Sequence, residues 1–119
     1  MKLRIKGNSL RYRLTRSEVE QFAHEGVLKE KLVIGEEPLV YVLQRTSEEF
    51  VRATLHTNLI TLLVPEAIAD EWTSTDKVGF DAQDGDLYLL VEKDFTCLDN
   101  VDEDQSDNYP NPLAQKKDE

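Results

Sequence analysis

The feature that most constrains this chain is a change of parity within its opening stretch. In Lys2-Leu3-Arg4-Ile5-Lys6 the apolar side chains fall on odd positions and the basic ones on even positions. Period-two alternation marks a half-buried β-strand, whose side chains point to opposite faces in turn. In Leu10-Arg11-Tyr12-Arg13-Leu14 the alternation resumes with the apolar residues on even positions. A strand keeps its parity unless a residue is inserted or the chain turns. Gly7-Asn8-Ser9 therefore marks either a bulge in one long strand or a tight turn between two short ones. Gly and Asn both tolerate the positive φ that either solution uses. In both cases Lys2, Arg4, Lys6, Arg11 and Arg13 share a cationic face opposite an apolar one.

The chain then changes period. Thr15-Arg16-Ser17-Glu18 fits the capping box, a Thr with a Glu three residues on. Val19 and Phe22 follow at helical spacing and Gly26 stands where a helix ends, which predicts a helix at about Arg16–Glu25. Val27 to Ile34 reads as a strand with Lys29 and Lys31 pointing away from Leu28 and Leu32, and Gly35-Glu36-Glu37-Pro38 as a turn. Leu39-Val40-Tyr41-Val42-Leu43 is almost wholly apolar, which predicts a central strand covered on both faces. Phe50 to Thr57 alternates again, with Arg52, Thr54 and His56 opposite Val51, Ala53 and Leu55. Leu59 to Val64 is a further apolar run. Pro65 suits the first position of a short helix at about 65–72 that buries Ile68 and Trp72. Val78 to Ala82 and Leu87 to Lys93 flank Asp84-Gly85, the preferred pair for a type I′ hairpin turn.

These elements predict an α+β fold: a mostly antiparallel, curved or barrel-like sheet of about seven or eight strands with two helices. No internal repeat is visible in the sequence. A single domain is expected at 1–96. From 97 to 119 the apolar content collapses, and an acidic C-terminal tail is expected there.

Charge narrows the function classes. The net charge is −10, with nine acids against three bases in residues 92–119 and no acid among the first 17 residues. Neutralising nucleic-acid phosphates needs a dominant positive field, so a nucleic-acid partner is not expected. No apolar run approaches the length of a membrane span and no secretory leader is recognisable, so a cytoplasmic chain with no membrane partner is expected. The single cysteine, Cys97, cannot form an internal disulfide, in keeping with a reducing compartment.

No cofactor is expected, because the glycines fit neither GxxxxGK[ST] nor GxGxxG. No catalytic residue is nominated. Cys97 sits among acids, which oppose thiolate formation, and nothing in the sequence pairs it with His24 or His56. No metal site is expected either. Read as an EF-hand loop from Asp102, the sixth position is Asp107 and the twelfth is Leu113; read from Asp99, the sixth is Asp104. Neither register supplies the required Gly and Glu. The remaining constellation is ionic. Arg4, Lys6, Arg11, Arg13, Arg52 and His56, with Lys29 and Lys31, all fall on polar strand faces. On a curved sheet several would converge on a concave surface suited to phosphate or carboxylate. A triphosphate-binding tunnel would need paired glutamates on the first strand, where this chain is basic. A solvated face that also guards a sheet edge is the plainer alternative.

The opening Met1-Lys2-Leu3-Arg4-Ile5-Lys6-Gly7-Asn8-Ser9 through Val19, with Lys93-Asp94-Phe95-Thr96-Cys97-Leu98 and Glu103-Asp104-Gln105-Ser106-Asp107-Asn108-Tyr109-Pro110-Asn111-Pro112, resembles a family of small uncharacterised bacterial proteins, a domain of unknown function. The resemblance implies a stand-alone bacterial cytoplasmic domain and no particular activity. It also implies that the tail packs on the body up to about residue 112, since so particular an ending is not needed for solubility alone.

The expected function is a small binding or interaction module without catalytic activity. The alternatives are a small enzyme or pocket that takes an anionic small molecule on the basic sheet face, and a structural homodimer.

Overall fold

The parity change resolves as a turn. In the computed structural model, which describes residues 1–95, Gly7 and Asn8 join β1 (Lys2–Lys6) to β2 (Ser9–Leu14), with Lys6 paired to Ser9. Gly7 has φ 55°, a conformation that costs glycine little. Thr15 caps α1 (Arg16–Glu25) as a full capping box, and Gly26 closes it in the left-handed region with φ 77°. Next come β3 (Val27–Leu32), β4 (Leu39–Thr46), β5 (Arg52–His56), β6 (Leu59–Pro65), α2 (Glu66–Ser74), β7 (Gly79–Asp84) and β8 (Leu87–Lys93). The fold is α+β with two helices and eight strands. Pro65 is the N-cap of α2 rather than its first residue. The last hairpin turns at Gly85-Asp86, because Asp84 is still paired, with Leu87.

The strands form two open four-stranded sheets instead of one barrel-like sheet. Sheet I has the order β1-β2-β8-β7 and sheet II the order β3-β4-β6-β5. Each is built from two antiparallel hairpins whose inner strands run parallel, β2 beside β8 and β4 beside β6. Sheet I thus joins the first hairpin of the chain to the last, and sheet II joins the two consecutive hairpins between them.

The two orders are one order. Advancing every strand of sheet I by four places gives sheet II, so the described chain is two ββαββ units that exchange hairpins. From β1 through α1 the equivalence runs residue by residue with a spacing of fifty: Met1 with Val51, Leu10 with Ile60, Tyr12 with Leu62, Leu14 with Val64, Val19 with Ala69, Phe22 with Trp72. All but Ile60 of these are buried, and Ile60 packs against the same core. Asn8 and its equivalent Asn58 donate their side-chain amides to the carbonyls of Asp86 and Pro38, the residues just before the equivalent strands β8 and β4. The absence of a visible repeat in the sequence is thus corrected. The equivalent core residues match in size class and burial but are seldom identical, so only hydrophobic pattern survives.

One core fills the space between the inner faces. Both helices lie on that inner side, where Phe22 and Trp72 meet with ring centres 6.3 Å apart and Trp72 stands edge-on to Phe80 at 5.4 Å. Full burial of an aromatic side chain typically contributes a few kcal/mol, about 3 at the upper end. Trp72 Nε1 donates to the Val78 carbonyl at 3.1 Å, which satisfies its one polar atom. Tyr12 does not achieve this: its buried hydroxyl has no hydrogen-bond partner among the described residues. Burial pushes its phenol far above the usual range, with the Val42 backbone only a weaker opposing influence. The chain start is held in the same interior. The Met1 ammonium donates to Glu18 and, at 2.8 Å, to Glu30, while Tyr41 Oη donates to the Met1 carbonyl at 2.7 Å.

Candidate functional site

Most of both inner faces is committed to the core, with Ile5 and Leu55 left exposed at its edge, and the charged candidates lie on the two outer faces. On sheet I the register sets the rows. Arg4 stands directly opposite Arg11, and Lys2 opposite Arg13, because β1 and β2 are antiparallel with that pairing. The cationic face expected of the first two strands is therefore present. Like charges directly opposite one another on a sheet are destabilising unless something compensates them.

Compensation comes from β8, whose parallel pairing brings Glu92 beside Arg13 and Leu90 beside Arg11. Glu92 Oε1 is 3.4 Å from a guanidinium nitrogen of both Arg11 and Arg13, so one carboxylate serves two cations. Lys2 Nζ reaches Asp94 at 2.9 Å. Arg4 and Lys6 are exposed and make no ion pair among the described residues. Arg4, Lys6, Ser9, Arg11, Tyr88 and Leu90 border a shallow concavity of about 240 Å³. Tyr88 Oη donates to Asp81 at 2.9 Å; that bond, and burial second, raises the phenol above its usual pKa, so it stays a neutral donor. The concavity thus has an apolar floor at Leu90, a cationic wall on β1 and β2, and an anchored phenol opposite.

Arg52 and His56 do not join it. They sit on β5, on the outer face of sheet II, so the six candidates are divided between two sheets and the expected convergence does not occur. A single curved sheet would have merged them; two open sheets facing apart cannot. Arg52 is bound by both Glu48 oxygens, at 2.5 and 2.9 Å. The hydrogen bonds from Arg52 hold Glu48 below the usual carboxylate range, and Glu48 in turn raises Arg52.

Tyr88 and Leu90, which line the concavity, and Glu92, which pairs with its Arg11, are residues the sequence reading did not include. Parity within Leu87–Lys93 places the three on one face, but the pairing with β2 links residues 79 apart by a parallel joint that no local signal reveals. Among the described residues no cluster of three His, Cys, Asp or Glu side chains is disposed to hold a metal ion, and no helix is long and apolar enough to cross a membrane. The acidic tail expected at 97–119, its packing up to about 112, and Cys97 lie outside the described residues.

The sequence matches the model of a family of unknown function, DUF7009, over residues 1–113, and the chain belongs to that family. No curated protein and no solved structure matches it.

Proposed function

We propose that this member of the family is a non-catalytic binding module that takes an anionic group, phosphate or carboxylate, on the cationic half of the outer face of sheet I. The observation that carries this reading is the Arg4–Arg11 cross-strand pair beside Lys6, at the rim of a concavity beside which Glu92 is already shared by Arg11 and Arg13 and Asp81 is engaged by Tyr88. An anion at that point relieves like-charge repulsion within the sheet and gains charge-assisted hydrogen bonds. The openness of the site and the exposure of Arg4 and Lys6 favour recognition of a charged group on a larger partner over enclosure of a substrate. The proposal places the module in the cytoplasm, since a chain with one cysteine suits a reducing compartment.

A thermal-shift screen with inorganic phosphate, nucleotides, dicarboxylates and divalent cations tests the reading. A ligand that binds only the folded state at about a hundred times its Kd adds about 2.7 kcal/mol, a rise of several degrees for a domain of this size. The rise should be lost in Arg4→Glu and fall with added salt. A flat response across the anions, or one that survives Arg4→Glu, refutes it.

A further inference from the structure

A strand with one face in water alternates polar with apolar residues along its length, whereas a strand apolar on both faces belongs under cover. The inner strands of sheet II are apolar on both. Tyr41, Leu43, Ile60, Leu62 and Val64 face the core, yet Val40, Val42, Leu59 and Leu63 point the other way, where Val42 is buried and Val40, Leu59 and Leu63 are half-buried. The helices pack on the inner side through Val19, Phe22, Ala69 and Trp72, so no described element lies over this outer face.

The register gives the face in three rows: Lys31, Val40, Leu59, His56; then Lys29, Val42, Thr61, Thr54; then Val27, Gln44, Leu63, Arg52. The two middle columns are apolar except for Thr61 and Gln44. The two edge columns carry four basic groups and no acid, on a chain whose net charge is −10. The edge strands stand three inter-strand spacings apart, about 14 Å. An α-helix with its side chains is about 10–12 Å across. A helix therefore fits between the rims, and covering a sheet with a helix is the ordinary layered solution. Two copies of this face would set like charges against each other, and a small anion would find no cation over the apolar centre.

We infer that the outer face of sheet II is a docking surface for an amphipathic helix of a partner protein, with an apolar stripe against Val40, Leu59 and Leu63 and acidic residues on both flanks meeting Lys29, Lys31 and His56. Arg52 contributes less, because Glu48 already engages it. This surface is separate from the anion site on sheet I.

The test is a titration of the full, isotope-labelled chain with a synthetic helix of about five turns, Leu on one stripe and Glu on both flanks. The expected result is micromolar binding that perturbs amides in residues 27–31, 40–44 and 52–63. Charge reversal at Lys29→Glu with Lys31→Glu should weaken it at least tenfold, with core amides unmoved as evidence of an intact fold. Arg4→Glu should leave it unchanged, which separates this inference from the anion site. Absence of perturbation on sheet II, or equal binding of a helix with Lys flanks, overturns the inference. So does a doubled solution mass of the free chain that Leu63→Arg returns to monomer, since a second copy would then be the occupant. The same follows if the double charge reversal in the free chain shifts amides of residues 96–119, which would make the chain's own C-terminal segment the occupant.

Discussion

Sheet I and sheet II share one strand order and almost no surface. Where sheet I has Arg4, Arg11, Leu90 and Asp81 across a row, sheet II has Thr54, Thr61, Val42 and Lys29. Where sheet I has Lys2, Arg13 and Glu92, sheet II has Arg52, Leu63 and Gln44. The inner faces follow the opposite rule: Leu14 answers Val64, Leu28 answers Phe80, and Leu43 answers Val91, each buried. Packing constrains volume on the inside and leaves the outside unconstrained. The differences in charge and polarity between the two sheets are therefore concentrated on their outer faces.

The sharpest test of the equivalence is the aromatic pair at the meeting of the helices. Phe22→Ala and Trp72→Ala should each cost about 3–5 kcal/mol in chemical denaturation, a large part of the stability of a domain this small. Their ring contact makes the two effects non-additive, with the double variant losing less than the sum. If one substitution costs under about 1 kcal/mol while the other unfolds the chain, the two units do not share the core equally.

The helix starts break the equivalence. In α1 the Thr15 hydroxyl accepts from the Glu18 amide while Glu18 Oε1 accepts from the Thr15 amide at 2.8 Å; α2 begins at Pro65 with no side-chain cap. Glu18→Ala keeps the bond from the residue 18 amide to the Thr15 hydroxyl but removes the return bond from the Thr15 amide and the pair with the Met1 ammonium, and should cost about 1–2 kcal/mol. Burial alone would raise the Glu18 pKa, but the hydrogen bonds from the Met1 ammonium and from Thr15 outweigh it and hold the carboxyl below its usual range. A depressed folded pKa gives stability that is complete above the unfolded value and lost as pH falls through the folded one. The gap between the native chain and Glu18→Ala should therefore be constant near neutrality and close as pH drops below about 4. A gap independent of pH would show that the charge plays no part.

Much of the fold was legible. Parity assigned the two faces of β2, and those of β1 and β5 except that Ile5 and Leu55 on the apolar side stay exposed, and the capping box with Gly26 placed α1 at its observed ends. The sheet count and the duplication were not, because both depend on the parallel joints β2–β8 and β4–β6, which bring together distant residues without any turn signal. For the same reason the candidate cations were correctly placed on outer faces yet wrongly expected to share one. Leu39–Leu43 is predicted to be covered on both faces; in the fold its inner face packs on the core, while on the outer face Val42 is buried and Val40 stays half-buried.

Tyr12 and Leu62 occupy equivalent, fully buried positions, but only Tyr12 brings a hydroxyl there, and it lacks a partner. An unsatisfied buried polar group costs about 1–3 kcal/mol. Tyr12→Phe removes the group and keeps the ring, with its tilted contact to Tyr41 at 5.8 Å. The variant should be about 1 kcal/mol more stable, read as a higher denaturation midpoint at an unchanged slope. A loss of stability instead would mean that the hydroxyl is satisfied by a buried water, which sheet II has no need of.

The smallest difference lies at the hairpin tips. Gly7 and Thr57 hold the same turn position with φ of 55° and 58°, and Thr57 is the one non-glycine residue with positive φ among the described residues. For a β-branched residue that conformation is strained, by about 1–2 kcal/mol. Glycine removes the strain but loses more backbone entropy on folding, about 0.5–1 kcal/mol. The balance predicts that Thr57→Gly gains up to about 1 kcal/mol and that Gly7→Thr loses a similar amount. Space does not complicate the second change, since a Cβ at Gly7 meets no atom within 4 Å. Measured together, the two substitutions exchange the tips of equivalent hairpins, and opposite signs of similar size would show that the two turns are energetically as well as topologically the same. Stability lost on Thr57→Gly would instead assign the threonine side chain a role that its strained backbone serves.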